Sequence, residues 1–144
     1  MSNIGDQFRD AIVEYIEEWN QKENLGIDIA KEKPVGFRFV STPRKIDIVL
    51  HRNGKFMGIE AKYQGSSGTA YQKLIYTLED CKSSPIPTII VFSGKGIKDD
   101  IKSKLVMSGL GIEVGFEDGQ IIEKPPLLLQ RICIELGINW LNLV

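Results

Sequence analysis

The dipeptide Asn53-Gly54 constrains this chain more than any other feature. Both residues tolerate positive φ, so together they favour a two-residue hairpin turn between strands. The flanks support that reading: Lys45 to His51 carries Ile46, Ile48, Val49 and Leu50, and Lys55 to Lys62 is a second β-rich stretch. A two-residue turn sets the register. Arg52 opposes Lys55, Leu50 opposes Met57, Ile48 opposes Ile59, and Asp47 opposes Glu60. Opposed residues share one face of the sheet, and residues two apart on a strand do as well, so Lys62 joins Glu60 and Asp47.

The expected constellation is two carboxylates with Cβ atoms about 5 Å apart and an ammonium beside them. Ile46 and Ile48 flank one acid, Ile59 and Ala61 the other. Two like charges in a partly dry place are unfavourable unless something offsets them. A lysine offsets them in part and a divalent cation does so better; oxygen ligands of this kind suit Mg2+. Such a metal can hold a phosphate oxygen and lower the pKa of a bound water. Lys62 can orient that water, deprotonate it, or stabilise the transition state electrostatically, and the residues leave these roles open. The competing structural reading is a surface ion pair on the exposed face of a hairpin.

The rest of the chain alternates helix and strand. Ile4, Phe8, Ala11, Ile12, Tyr15, Ile16 and Trp19 recur at helical spacing, giving an amphipathic helix over residues 4–20. Residues 21–34 are polar and end at Pro34, which reads as a loop, and Val35 to Val40 reads as a strand. After the hairpin, residues 64–68 form a flexible loop. Thr69 then caps a helix over roughly residues 70–82, with Tyr71, Leu74, Ile75 and Leu78 as its buried stripe. Thr88 to Phe92 is nearly all apolar, as in a strand covered on both faces. A helix over 97–108, a strand from Ile112 to Phe116, a helix over 126–136 and a docking tail from Trp140 to Val144 complete the reading. The order α-β-β-β-α-β-α-β-α, with a hairpin and helical crossovers, implies an α/β fold with a mixed sheet and helices on both faces.

With 144 residues, the chain suits one domain spanning 1–144, too short for a large separate recognition domain. The net charge of −1 is unevenly spread. Residues 1–30 hold two basic and seven acidic side chains, residues 31–82 ten and five, and residues 83–144 six and seven. The basic excess therefore coincides with the candidate site, as a phosphate-binding face requires. No apolar run approaches a bilayer span and no secretory signal is visible, so no membrane association and a cytoplasmic location are expected. Cys81 and Cys133 read as free thiols of a reducing compartment, and with His51 the sole histidine, a structural zinc site is disfavoured. No glycine-rich nucleotide-binding loop is present, which argues against a small-molecule α/β protein of that kind.

The stretch from Lys45 through Asp47, Asn53-Gly54 and Glu60-Ala61-Lys62 resembles the core of the PD-(D/E)XK nuclease superfamily, which includes restriction endonucleases, Holliday-junction resolvases and repair nucleases. Asp47 matches the first acid of the motif, Glu60 the second and Lys62 the lysine. Pro43, four residues before Asp47, departs from the position in the family's name. The resemblance implies a restriction-endonuclease-like three-layer α/β/α fold. It also implies metal ligation by Asp47, Glu60 and the backbone carbonyl of Ala61. The continuation Lys62-Tyr-Gln-Gly-Ser-Ser-Gly-Thr-Ala-Tyr-Gln-Lys-Leu74 is similar to a subset in which Glu-x-Lys is followed by glutamine and a Gly-Thr-Ala…Lys helix start. It implicates Gln64, Thr69, Gln72 and Lys73 in substrate contacts, and a helix N-terminus is a suitable place for phosphate. Many members carry a further acid on the first helix; Glu14 and Glu18, at the edge of the apolar stripe, are the candidates.

The resemblance implies a Mg2+-dependent DNA endonuclease, with Mn2+ able to substitute, of restriction-enzyme, homing or phage-encoded type. A junction resolvase, another structure-specific nuclease or a non-catalytic nucleic-acid-binding subunit are the alternatives. Cutting both strands of a duplex usually takes two sites, so a homodimer, a higher oligomer or a subunit of a larger nuclease is expected.

Overall fold

The computed structural model describes residues 3–39, 42–66 and 70–141. Helix α1 (Ile4–Glu23) opens on Asn3, whose side chain accepts the Asp6 N–H at 2.8 Å, and closes on Asn24 in the left-handed region. Phe8, Ile12, Ile16 and Trp19 bury its apolar face as the spacing requires, while Ile4 at the first turn is exposed.

Strands β1 (Asp28–Phe39), β2 (Thr42–Arg52) and β3 (Lys55–Tyr63) form an antiparallel meander. Half of the polar stretch 21–34 expected as a loop is thus strand, Asp28 to Pro34 pairing with His51 to Lys45, while its first three residues extend α1. The charged side chains of the paired half suit an edge strand, where solvent reaches one flank of the ladder and the charges discourage pairing with other chains. The β2–β3 turn has Asn53 at φ 51° and Gly54 at φ 77°, both positive, as a type I′ turn demands. The register then runs as expected from Arg52↔Lys55 to Ile48↔Ile59.

Helix α2 (Ala70–Lys82) crosses back to β4 (Thr88–Ser93), and α3 (Asp99–Met107) to β5 (Gly111–Glu113). Both crossovers give parallel neighbours, so the five-stranded sheet is mixed, in the order β1-β2-β3-β4-β5. The expected single strand from Ile112 to Phe116 is divided. Its second part, β6 (Gly115–Glu117), forms a separate hairpin with β7 (Gln120–Ile122) around Asp118-Gly119, and α4 (Pro126–Leu136) follows. The tail is split as well: Trp140 packs on the core, Leu141 is exposed, and 142–144 lie outside the described residues.

Two cores sandwich the sheet, giving an α/β restriction-endonuclease-like architecture. On one face, Ile48, Leu50, Met57, Ile59, Ala61, Ile89 and Val91 pack with the buried faces of α1 and α4. On the other, Ile90 and Phe92 pack with Leu74, Leu78 and Cys81 of α2 and Ile101 and Leu105 of α3. Strand alternation therefore turns Glu60 and Lys62 toward the α2 face.

Candidate active site

The β2–β3 ladder ends one step before the two acids meet. Continued, it would oppose Ile46 to Ala61 and Asp47 to Glu60, yet the last recorded pair is Ile48↔Ile59. The Ala61 backbone N–H instead donates to Asp47 Oδ2 at 2.8 Å. The strand pair expected between Asp47 and Glu60 is thus replaced by a side-chain-to-backbone bond, which still brings the Asp47 carboxylate to the Glu60-Ala61-Lys62 segment.

Two contacts lie around this end of the ladder. Ile46 occupies the space above Gly58, where an added Cβ would come within 3.0 Å of Ile46 Cγ2 and 2.8 Å of Thr88 Oγ1. Farther back, Arg44, only 2% exposed, is held by Asp80 Oδ1 at 2.9 Å and by Ser83 Oγ at 3.2 Å at the end of α2. The start of β2 is thereby tied to α2 rather than to β3.

Glu60 is 4% exposed, while Asp47 and Lys62 are half-buried. Glu60 and Lys62 line an open cleft of about 430 Å3 whose other wall is α2, with Gln72, Lys73, Tyr76, Thr77 and Asp80. The acidic character of this region registers at Cys81. Burial, then the Glu60 and Asp80 charges, push its thiol up to about 12, against the opposing influence of Lys62 and Arg44.

The donor set suits a hard divalent cation. Asp47 Oδ1 carries no hydrogen bond among the described residues, and Glu60 is a second carboxylate one residue from the Ala61 anchor. No group of three or more His, Cys, Asp or Glu side chains gathers among the described residues. Two carboxylates completed by water and phosphate oxygens are what Mg2+ uses, whereas structural zinc asks for four nitrogen or sulfur ligands.

The other candidates divide. Gln72 and Lys73 are exposed on the cleft wall. Gln64 lines an adjoining 220 Å3 cleft with Lys62, Lys73 and Leu74, its side-chain amide donating to the Ser66 carbonyl. Thr69 lies outside the described residues. Glu14 and Glu18 are not brought to the site. They are exposed on α1, which packs on the opposite face of the sheet, and they line a separate cleft with Gln120 and Ile121. His51 stacks on Phe56 at a centroid distance of 4.2 Å. Tyr76, Thr77 and Asp80 were not anticipated. They follow Gln72 and Lys73 at i+4 spacing along one helix face, so the periodicity that marks the buried stripe of α2 also marks this one.

A family model for the PD-(D/E)XK nuclease superfamily domain matches residues 3–109. No curated protein matches the chain. Among solved structures, a protein of unknown function, AF1548, superposes with a TM-score of 0.50 at 16% identity, over 92% of this chain and 72% of that one. An XisH family protein from Nostoc punctiforme gives 0.47 at 13% identity, over 81% and 97% of the two chains. An fdxN element excision controlling factor protein from Anabaena variabilis gives 0.45 at 14% identity, over 79% and 97%. No helix among the described residues is long and apolar enough to cross a membrane. With its motif on adjacent strands of a mixed sheet and three-quarters of its length matched by the family model, the chain belongs to the PD-(D/E)XK nuclease superfamily.

Proposed function

We propose that this chain is a Mg2+-dependent DNA endonuclease hydrolysing phosphodiester bonds, with Asp47, Glu60 and Lys62 at its centre. The observation that carries this reading is the hydrogen bond from the Ala61 N–H to Asp47, which gathers two acids and a lysine onto one short segment beside an open cleft. A bound Mg2+ or Mn2+, held by Asp47, Glu60 and the Ala61 carbonyl, would polarise the phosphate and acidify a water. Asp47 keeps one oxygen on the Ala61 N–H, which orients the other. Lys62 places a positive charge at the mouth of the cleft, where it stabilises the charge that builds on the phosphate during attack. Gln72 and Lys73, exposed on the facing wall, contact the flanking backbone. Duplex cleavage by a chain with one such centre calls for a second copy, so we expect a dimer or higher assembly on DNA.

The test is nicking of supercoiled plasmid. Relaxed circles should accumulate in Mg2+ or Mn2+ and not in EDTA. Plasmid that stays supercoiled in both metals over a range of protein concentrations would reject the reading.

A further inference from the structure

Three open clefts share their walls. Lys62 and Lys73 line both the cleft over Glu60 and the 220 Å3 cleft beside it. Tyr63 lines the latter and also a third cleft of 650 Å3 at the C-terminal ends of β3, β4 and β5. The three clefts thus follow one another along the end of β3, with Lys62 turned toward α2 and Tyr63 toward α1, where its ring packs against Phe8 and Phe116.

Two glycines shape the loop after β4 beside the third cleft. A Cβ on Gly94 would collide with the Gln64 backbone, and one on Gly96 with the Ser66 backbone. Their absence lets the loop after β4 lie against the loop after β3, fastened by Gln64 N–H to Ser93 O at 3.0 Å and Gly96 N–H to Gln64 O at 2.8 Å. Lys95 is thus carried on a loop bonded directly to the residues that follow Lys62. Among the described residues, Lys62, Lys73 and Lys95 have no ion-pair partner, while Lys102 neutralises Glu113 at 2.7 Å. Half-buried Tyr63 and Phe116 supply apolar wall to the third cleft, and Glu123 also lines it.

We propose that this third cleft holds one unpaired nucleotide of the substrate strand, its phosphate on Lys95 and its base against Tyr63 and Phe116. DNA with single-stranded nucleotides beside the cut is then preferred over continuous duplex. The inference rests on the nuclease reading for the position of the cut. The cleft's volume is that of a small-ligand pocket, about 300–1,000 Å3. A paired base would first have to be flipped out to reach it, at a cost of a few kcal/mol. Aromatic rings beside a free lysine are the composition of single-strand sites; here Tyr63 and Phe116 meet edge to face at 5.4 Å, with Lys95 on the same cleft.

The experiment is fluorescence anisotropy with the wild-type protein in EDTA, so that nothing is cut. It compares a labelled duplex with the same duplex carrying a short single-stranded gap. The gapped DNA should bind about tenfold tighter, the scale of one base stacked on aromatic side chains. Lys95→Ala, on an exposed loop residue, should remove much of that preference. It should also lower the salt slope for gapped DNA by about 0.7, the value for one lost single-strand phosphate contact. Equal affinity for the two DNAs overturns the proposal, as does an equal loss on both with Lys95→Ala. A missing gap preference alongside metal-dependent plasmid nicking sinks this inference alone. A gap preference without nicking supports the pocket and rejects the nuclease reading.

Discussion

At Asp47 the two carboxylate oxygens have different surroundings. Oδ2 accepts the Ala61 N–H, and Oδ1 has no hydrogen-bond partner among the described residues. Asp47→Asn separates these, because an amide oxygen can still accept from Ala61 while the NH2 repels a cation. The variant should melt close to the wild type yet lose nicking by about two orders of magnitude or more, the scale of removing a charge-stabilising group. Gly58 shows the opposite kind of residue, needed for room alone. Gly58→Ala forces a Cβ into contact with Thr88 Oγ1 and Ile46, and should cost about 1–3 kcal/mol in a denaturant titration. Cys81 gives a pH test. Its thiol, ordinarily ionising near 9.0, is pushed up to about 12 by burial and by the neighbouring acids. The unfolded chain therefore releases this proton first, so the group's contribution to stability is complete below about pH 9 and is lost as pH rises toward 12. Native protein at neutral pH should leave Cys81 unlabelled by iodoacetamide until it is unfolded. Of these residues, Asp47, Glu60 and Lys62 share one sheet face by the register of the hairpin, and their assignment as a motif comes from the family resemblance. The need for glycine at 58 was not legible in the sequence, because it depends on Ile46 and Thr88 arriving there from other strands.

At the scale of elements, the Asn53-Gly54 turn made the register of five strand pairs readable, and that register is observed. It ends before Asp47, and farther back on β2 Arg44 bonds to Asp80 and Ser83, an interaction spanning 36 to 39 residues of chain that local patterning does not contain. This cluster makes its own prediction. Asp80→Ala leaves a guanidinium buried without its partner and should destabilise the protein by about 3–5 kcal/mol, whereas replacing Arg44 and Asp80 together by Met and Leu should restore much of the loss. The first half of β1, up to Pro34, carries no apolar alternation because an edge strand is kept polar against pairing with other chains. The β6–β7 hairpin was missed although its signal was present. Asp118-Gly119 has both residues at positive φ, 52° and 76°, the same chemistry as the first turn, but its flanking strands are only three residues long.

For the whole molecule, helices on both faces and a mixed sheet followed from the alternation of elements. The assignment of faces did not, and it is what separates Glu14 and Glu18 from the site: α1 packs on one side of the sheet and Glu60 opens on the other. If the site takes a cation in the folded state only, Mg2+ or Mn2+ should raise the melting temperature. A hundredfold excess over the dissociation constant corresponds to about 2.7 kcal/mol, and Asp47→Asn should abolish the shift. The most direct test is the initial nicking rate of Glu60→Gln beside wild type on the same supercoiled plasmid in Mg2+, both proteins first shown to be folded by circular dichroism. The expected result is a rate lower by about 100-fold or more for the variant; a rate equal to wild type would show that the hydrolytic centre is not at the β2–β3 hairpin.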